Sequence, residues 1–406
     1  MNIRSITVFC APGWPPEESV LQSAGAFARA ARRAFTAAGY SVQTIRLALP
    51  PFPQWLPEEA DAPAAAQSLE AAARAEGFEY LSLGPALPAH PWSYRRIPGI
   101  IAATEATFLG GVIASRREGM ALAAVRACAE TIHALAPQQE NGFANLYFAA
   151  LANVPPGAPF FPAAYHDGNG MAFALALEAA DLAVTAFEGA ATLAAARASL
   201  LDAMQEHAAA LSGVAEILTN RFEARFGGLD YSLAPYPERA RSLGAALEAL
   251  GVPALGGHGS LAAAAFLAEA IDRAEFPRTG FSGLMLPVLE DSVLAERAAQ
   301  GVLGVKDMLL YSAVCGTGLD TLPLPGDTGV ERLYAILLDV AALSTRLGKP
   351  LTARLMPMPG KAAGDEITFD FPYFANSRVL RAEAAPLRGP LGGAETIHLR
   401  TRPKGV

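Results

Sequence analysis

Five stretches of the chain put ionisable or nucleophilic side chains directly after apolar runs, where they could do chemistry. In the first, residues 160–165 lead into His166 and Asp167 and then the turn Gly168, Asn169, Gly170. His166 there suits acid–base work or metal ligation, with Tyr165 beside it to touch substrate. The plainer alternative is an imidazole that only hydrogen-bonds a carbonyl. In the second, Asp230 and Ser232 share one face of an extended segment, since side chains alternate along a strand. Asp230 is a candidate acid–base group or metal ligand and Ser232 a substrate contact; the alternative is that Asp230 caps a turn after Gly227 and Gly228.

The third stretch, 286–292, ends in adjacent carboxylates, Glu290 and Asp291. Neighbours on an extended chain point to opposite sides, so one is expected to enter a site while the other caps the helix that begins near Val293. The fourth holds Cys315, Gly316, Thr317, Gly318 and Asp320. Its glycines let backbone N–H groups approach an anion or oxyanion, and Thr317 adds a hydroxyl. The spacing fits neither a Walker loop nor a dinucleotide fingerprint, so no nucleotide cofactor is expected. Cys315 is a candidate nucleophile if an imidazole lowers its pKa, and an inert buried thiol otherwise. The fifth stretch runs from Arg354 to Lys361, where Lys361 could hold a carboxylate or phosphate or simply stand exposed in a turn. Outside these five, His258 lies between glycines just before an Ala-rich helix, whose N-terminus favours an anion. The chain has no His-Glu-x-x-His, no Gly-x-Ser-x-Gly and no paired Cys-x-x-Cys.

Elements must hold these groups in place. Short β-rich segments alternate with Ala-rich helical ones, the pattern of βα units on a largely parallel sheet. Strands are predicted at 5–9, 42–47, 80–84, 146–151, 160–165, 229–233, 283–288, 309–314 and 352–356. One helix keeps an apolar face through Leu333, Ile336, Leu337, Val340, Leu343 and Leu347 and stops at Gly348. A second carries a stripe from Leu193 to Leu218, best read as core. Ligands of such folds bind at the C-terminal strand ends, where most of the candidate residues fall. One domain is expected over 1–406, with an irregular arm at 376–406 that holds one late strand near 396–400.

Composition sets the limits. Of 406 residues, 52% are hydrophobic and only 17% charged, which rules out a disordered chain. The net charge of −8 argues against a nucleic-acid partner, which needs a basic face. The longest uncharged stretch, 141–166, contains Pro155, Pro156, Pro159 and Pro162, which no lipid-embedded helix would tolerate, so no membrane association is expected. Three scattered cysteines suggest a reducing cytoplasm. The low charge and the Leu193–Leu218 stripe together suggest a homodimer.

The stretches 145–167, 228–235, 257–265, 281–291, 315–327 and 350–371 resemble the "domain of unknown function 711" family, with CGTGLDTLPLPGD the most specific. They cover roughly the last two-thirds of the chain. The resemblance implies a fold similar to pyruvate formate-lyase: one large α/β barrel of about ten strands, built as two parallel half-barrels and surrounded by helices. It does not carry over that enzyme's radical. The nearest analogue of a glycyl-radical loop, Arg378-Val379-Leu380-Arg381, has no glycine, and Cys315 has no cysteine neighbour.

The expected function is that of an enzyme acting on a small, polar, anionic metabolite in the barrel mouth. His166, Asp230, Glu290, Asp291 and Asp320 would supply acid–base groups. A divalent metal on Asp230, Glu290 and Asp320 would suit hydrolase or lyase chemistry. The alternatives are a metal-free acyl or C–C transferase using Cys315, and a module that binds a metabolite without turning it over.

Overall fold

Every long strand of the chain joins one sheet, and helices cover its outer side. The computed structural model describes residues 1–401 apart from Cys315, so the thiol considered above lies outside the described residues. The strands are β1 (Asn2–Phe9), β2 (Val42–Ala48), β3 (Tyr80–Ala86), β4 (Thr107–Ser115), β5 (Gly119–Ala121), β6 (Phe148–Ala152), β7 (Ala172–Glu178), β8 (Arg225–Asp230), β9 (Gly318–Pro325) and β10 (Leu351–Met358). The helices are α1 (Glu18–Ala37), α2 (Ala62–Ala75), α3 (Trp92–Ala103), α4 (Leu122–Leu135), α5 (Ala180–Phe187), α6 (Leu193–Phe222), α7 (Leu243–Ala249), α8 (Ser260–Arg273), α9 (Ser292–Ala299), α10 (Val305–Ser312) and α11 (Val330–Leu347).

The strand order is β8-β7-β1-β2-β3-β4-β6-β10-β9. β1, β2, β3, β4 and β6 run parallel to one another. β7 pairs parallel with β8, and β10 with β9, but each pair meets the central five antiparallel. The mixed α/β class with a large, mostly parallel sheet is therefore observed. The two edges are not left open. Leu229 N–H donates to Pro277 O at 2.7 Å and Met285 N–H to Ser232 O at 2.9 Å, while Val288 N–H donates to Asp320 O at 3.1 Å. Segment 277–288 thus bonds to β8 and the residues after it at one edge, and to β9 at the other.

Several expected elements are different. Residues 160–165 form turns, because Pro162 and the bonds of the segment to neighbouring loops keep it out of the ladder. Residues 309–314 belong to α10 and the turn after it, since Met308, Tyr311 and Ser312 bury on one helical face. β4 and β7 went unread. β4 contains Gly110 and Gly111, residues usually depleted in strands, yet a side chain at Gly111 would meet Cys128 Sγ at 2.5 Å. β9 carries Pro323 and Pro325, which suit its position at the end of the ladder. The late strand is present as Thr396–Ile397, paired with β5. The stripe on α6 is buried within the chain at Leu200, Met204, Leu211 and Leu218, while Leu193 at its start and Ile217 stand exposed. No helix among the described residues is long and apolar enough to cross a membrane.

Candidate functional site

A cavity of about 70 Å³ lies against the sheet. Its polar lining comes mostly from the strands: Arg4 on β1, Gln43, Thr44 and Arg46 on β2, Tyr80 at the start of β3, Asp320 on β9 and Arg354 on β10. Glu290, from the segment beyond 277–288, and Tyr373 complete it, with Phe108, Phe160, Phe161, Met285 and Phe371 as apolar walls. Asp320 and Arg354 also line a smaller neighbouring cavity with Thr317 and Thr352.

Two irregularities aim the charged groups inward. The pairing of β1 with β7 slips between Ile3 and Ser5, so Arg4 is an extra, unopposed residue. Against β10, the pairs Ala353–Leu319 and Leu355–Leu322 leave both Asp320 and Thr321 opposite Arg354. Thr321 adopts φ +43°, a left-handed conformation that a β-branched residue rarely takes. Bulges of this kind re-aim side chains and occur preferentially beside active sites.

The geometry forms a row. Arg354 Nε donates to Asp320 Oδ1 at 2.6 Å and Arg354 Nη2 to Glu290 Oε1 at 2.7 Å. Glu290 Oε2 accepts from Arg4 Nη2 at 2.7 Å, and Arg4 Nη1 reaches Glu178 Oε2 at 3.1 Å. All of these side chains are buried. Glu290 is therefore spent on two guanidiniums, an arrangement that fixes both in place. Burial pushes the Asp320 carboxyl above the usual carboxylate range, against the opposing pull of Arg354.

Arg46 differs from the other two cavity arginines. Its Nε donates to Thr44 Oγ1 at 2.9 Å, and its guanidinium lies 5.4 Å from the Tyr80 ring centre and 5.2 Å from that of Phe161. Among the described residues no carboxylate forms an ion pair with it, although the field of Glu290 reaches it. Burial, and next the like charge of Arg4, pull its pKa down to about 10, which still leaves it charged at neutral pH.

The residues singled out from sequence are only partly gathered here. Glu290 and Asp320 come together through Arg354. Asp291 turns away and caps α9, accepting from the N–H groups of Val293 and Leu294 and from Ser242 Oγ at 2.5 Å. The adjacent carboxylates thus divide as their alternation suggests. Asp230 is wholly buried and accepts from Ser232 Oγ at 2.5 Å and from the N–H groups of Phe281 and Ser282, each at 2.8 Å. It pins the loop at 279–283, and burial pushes its pKa up to about 6. Gly280, at φ +62°, packs onto this carboxylate so closely that a Cβ would overlap it.

The rest sit elsewhere. Thr317 Oγ1 donates to Leu284 O at 2.7 Å, and Gly316 packs on the backbone of Gly283. Gly318 opens β9 at φ +97°. Tyr165 donates to Val154 O, and Lys361 to Glu366 O. His258 is exposed. His166 lines a separate cavity of about 80 Å³ with Asp167, Arg225 and Thr279, which shares no residue with the first. Its Nδ1 lies 3.2 Å from Asp167 Oδ1, its buried Nε2 has no partner, and burial lowers its pKa.

Among the described residues no group of three or more His, Cys, Asp or Glu side chains is arranged to hold a metal ion. Of the three expected ligands, Glu290 holds arginines on both oxygens and Asp230 is bonded to backbone and Ser232. A larger groove of about 890 Å³ runs between α9, α10, α11 and the segment 378–387. We place the site in the smaller cavity, because the groove's Lys306 is exposed and already paired with Glu383, whereas the cavity holds a buried cation without an ion-pair partner.

Sheet, bulges and buried arginine–carboxylate row define an α/β protein with a charged internal cavity. The chain belongs to the family described as "Uncharacterised ACR (DUF711)", whose model matches residues 1–376. The match begins at residue 1, so it includes the strands that carry Arg4, Thr44, Arg46 and Tyr80. The chain is 36% identical over 262 residues to a UPF0210 protein of Pyrobaculum aerophilum, covering 62% of this chain and 57% of that protein. It is 31% identical over 371 residues to a UPF0210 protein of Pyrobaculum islandicum, covering 83% and 78%. A UPF0210 protein of Methanopyrus kandleri is 31% identical over 328 residues, covering 74% and 70%. The chain therefore spans little more than half the length of the P. aerophilum relative it matches.

Proposed function

We propose that the cavity is an active site in which Asp320 moves a proton on a small polar metabolite, in a hydrolase- or lyase-type reaction. The observation that supports this most is the fixed carboxylate of Asp320. Arg354 Nε donates to one of its oxygens at 2.6 Å and the Thr321 N–H also donates to the group, which lines the cavity with acceptor capacity left over. Burial raises its pKa towards the working range, as an acid–base group needs. Arg354 and Arg4, both anchored by Glu290, face the same space and would stabilise negative charge that develops on the substrate. We read the sheet as a barrel closed by segment 277–288, with this cavity inside it, because that segment bonds to both sheet edges.

The test is to incubate the wild-type protein and Asp320→Asn with defined pools of small metabolites and follow depletion by mass spectrometry. The reading requires a compound consumed by wild type at a rate that falls about 100-fold or more in the variant, the usual yield of a positioned acid–base group. Equal consumption by both proteins would remove Asp320 from the chemistry. No consumption by either would leave a binding module.

A further inference from the structure

Burying a guanidinium without a counter-charge is costly, and folded proteins pair such groups or provide them with a ligand. Three guanidiniums line the cavity, Arg4, Arg46 and Arg354, against two carboxylates, Glu290 and Asp320. Arg4 and Arg354 use those carboxylates, and Arg4 also holds Glu178 behind it. The cation left over is Arg46, only 8% exposed, with its Nε tied to Thr44 and its plane between the Tyr80 and Phe161 rings. Such a guanidinium presents its remaining N–H donors in a rigid fork that matches a carboxylate.

We propose that Arg46 receives the carboxylate of a small monoanionic ligand whose apolar body packs between Phe108, Phe160, Phe161 and Met285. This assignment names the substrate class of the acid–base site described above and rests on that reading. Three arguments fix the class. The cavity lining carries one excess positive charge, and Glu290 and Asp320 on the same cavity oppose a second negative charge, so a carboxylate is favoured over a phosphate dianion. The fork geometry suits two coplanar oxygens. The cavity of about 70 Å³ holds roughly five to seven water-sized atoms, at about 10–15 Å³ each, which limits the ligand to something the size of propionate or butyrate.

The experiment measures the thermal midpoint of the full chain with propionate, butyrate, the neutral isostere butyramide and inorganic phosphate, each titrated to tens of millimolar. Wild type is expected to gain stability saturably with propionate or butyrate and not with butyramide or phosphate. That gain is expected to vanish in both Arg46→Met and Arg46→Gln. Without ligand, Arg46→Met is expected to melt no lower than wild type, because it removes an unpaired buried cation.

A carboxylate-dependent gain that persists in both variants would overturn the assignment, as would no gain with either carboxylate. A gain with phosphate alone would overturn the monoanion class. A lower ligand-free midpoint in Arg46→Met would show that the guanidinium is already compensated and would also overturn it. Asp320→Asn separates the two proposals. It is expected to keep the butyrate shift while losing turnover. Turnover retained in Asp320→Asn would defeat the acid–base reading alone, and a shift retained in the Arg46 variants would defeat the carboxylate assignment alone.

Discussion

Replacing Glu290 by Gln tests whether the arginine–carboxylate row is a buried, tightly coupled unit. The carboxylate contacts Arg4 and Arg354 at 2.7 Å each, and all three side chains are no more than 11% exposed. With charge centres about 4 Å apart and an effective dielectric near 20, each pair is worth about 4 kcal/mol, so about 8 kcal/mol of attraction is lost. Several kcal/mol return because the carboxylate no longer has to be stripped of water, which leaves the 3–5 kcal/mol typical of breaking a buried pair from one side. The Gln amide adds to the damage, since its NH₂ faces a guanidinium that can only donate. At about 2.1 cal/mol/K of unfolding entropy per residue, 406 residues give about 0.85 kcal/mol/K, so a loss of 4 kcal/mol lowers the thermal midpoint by about 5 °C. The assay is urea unfolding with thermal melting as a second readout, beside the control Glu366→Gln. That control breaks an ion pair whose Glu is 76% exposed and should cost less than about 1 kcal/mol. If Glu290→Gln costs no more than Glu366→Gln, the row is screened by water, and the argument that Arg46 is starved of a counter-charge collapses with it.

Arg354→Lys keeps the charge but cannot reach Asp320 and Glu290 at once, so a loss of about 2–4 kcal/mol in urea unfolding is expected. An unchanged urea midpoint would mean that the fork is dispensable. Asp230 has a folded pKa of about 6, above its unfolded value near 3.9, so the native state holds the proton more tightly. Its contribution is therefore fully present below about pH 4 and is lost as pH rises through 6, a fall of up to about 3 kcal/mol. Subtracting the pH profile of Asp230→Asn from that of wild type should isolate this slope, and parallel profiles would contradict it. Gly280→Ala is expected to cost at least about 2 kcal/mol by thermal melting, because the new Cβ meets the Asp230 carboxylate at φ +62°. A neutral result would show that the loop at 279–283 is not pinned by Asp230.

The alternation of apolar strands and Ala-rich helices was legible as a mostly parallel sheet, and a carboxylate cap on the helix that begins after Asp291 was legible from its place before that helix. What stayed hidden has local causes. β9 reads as a loop because of Pro323 and Pro325, which the end of the ladder tolerates. Arg4, Arg46 and Arg354 stand singly within apolar strands, and a long side chain in that setting usually runs along apolar surface to reach water. The available signal was spacing: Thr44 and Arg46 two apart on one face of β2, and Arg354 flanked by Ala353 and Leu355, whose neighbours are all buried. The bulges at Arg4 and Asp320 lie in the pairing between distant strands, which no single segment encodes.

Residue type was a poor guide to where chemistry is placed, and spare bonding capacity is a better one. Asp230 and Asp291 are acidic, buried and shifted upward in pKa, the usual marks of a functional carboxylate. Both are saturated by hydroxyl and backbone donors and hold loops and helix ends, so they serve the structure and have no bonding capacity left for a reaction. Asp320 carries the same burial but faces a cavity with acceptor sites left, and Arg46 lies beside it with donors left. An acceptor and a donor on one small cavity, each with bonding capacity left, are costly to leave unsatisfied. That cost is offset when a molecule carrying the complementary groups occupies the space. This is why Arg46→Met without ligand should melt no lower than wild type, and why only wild type should gain stability from the carboxylate.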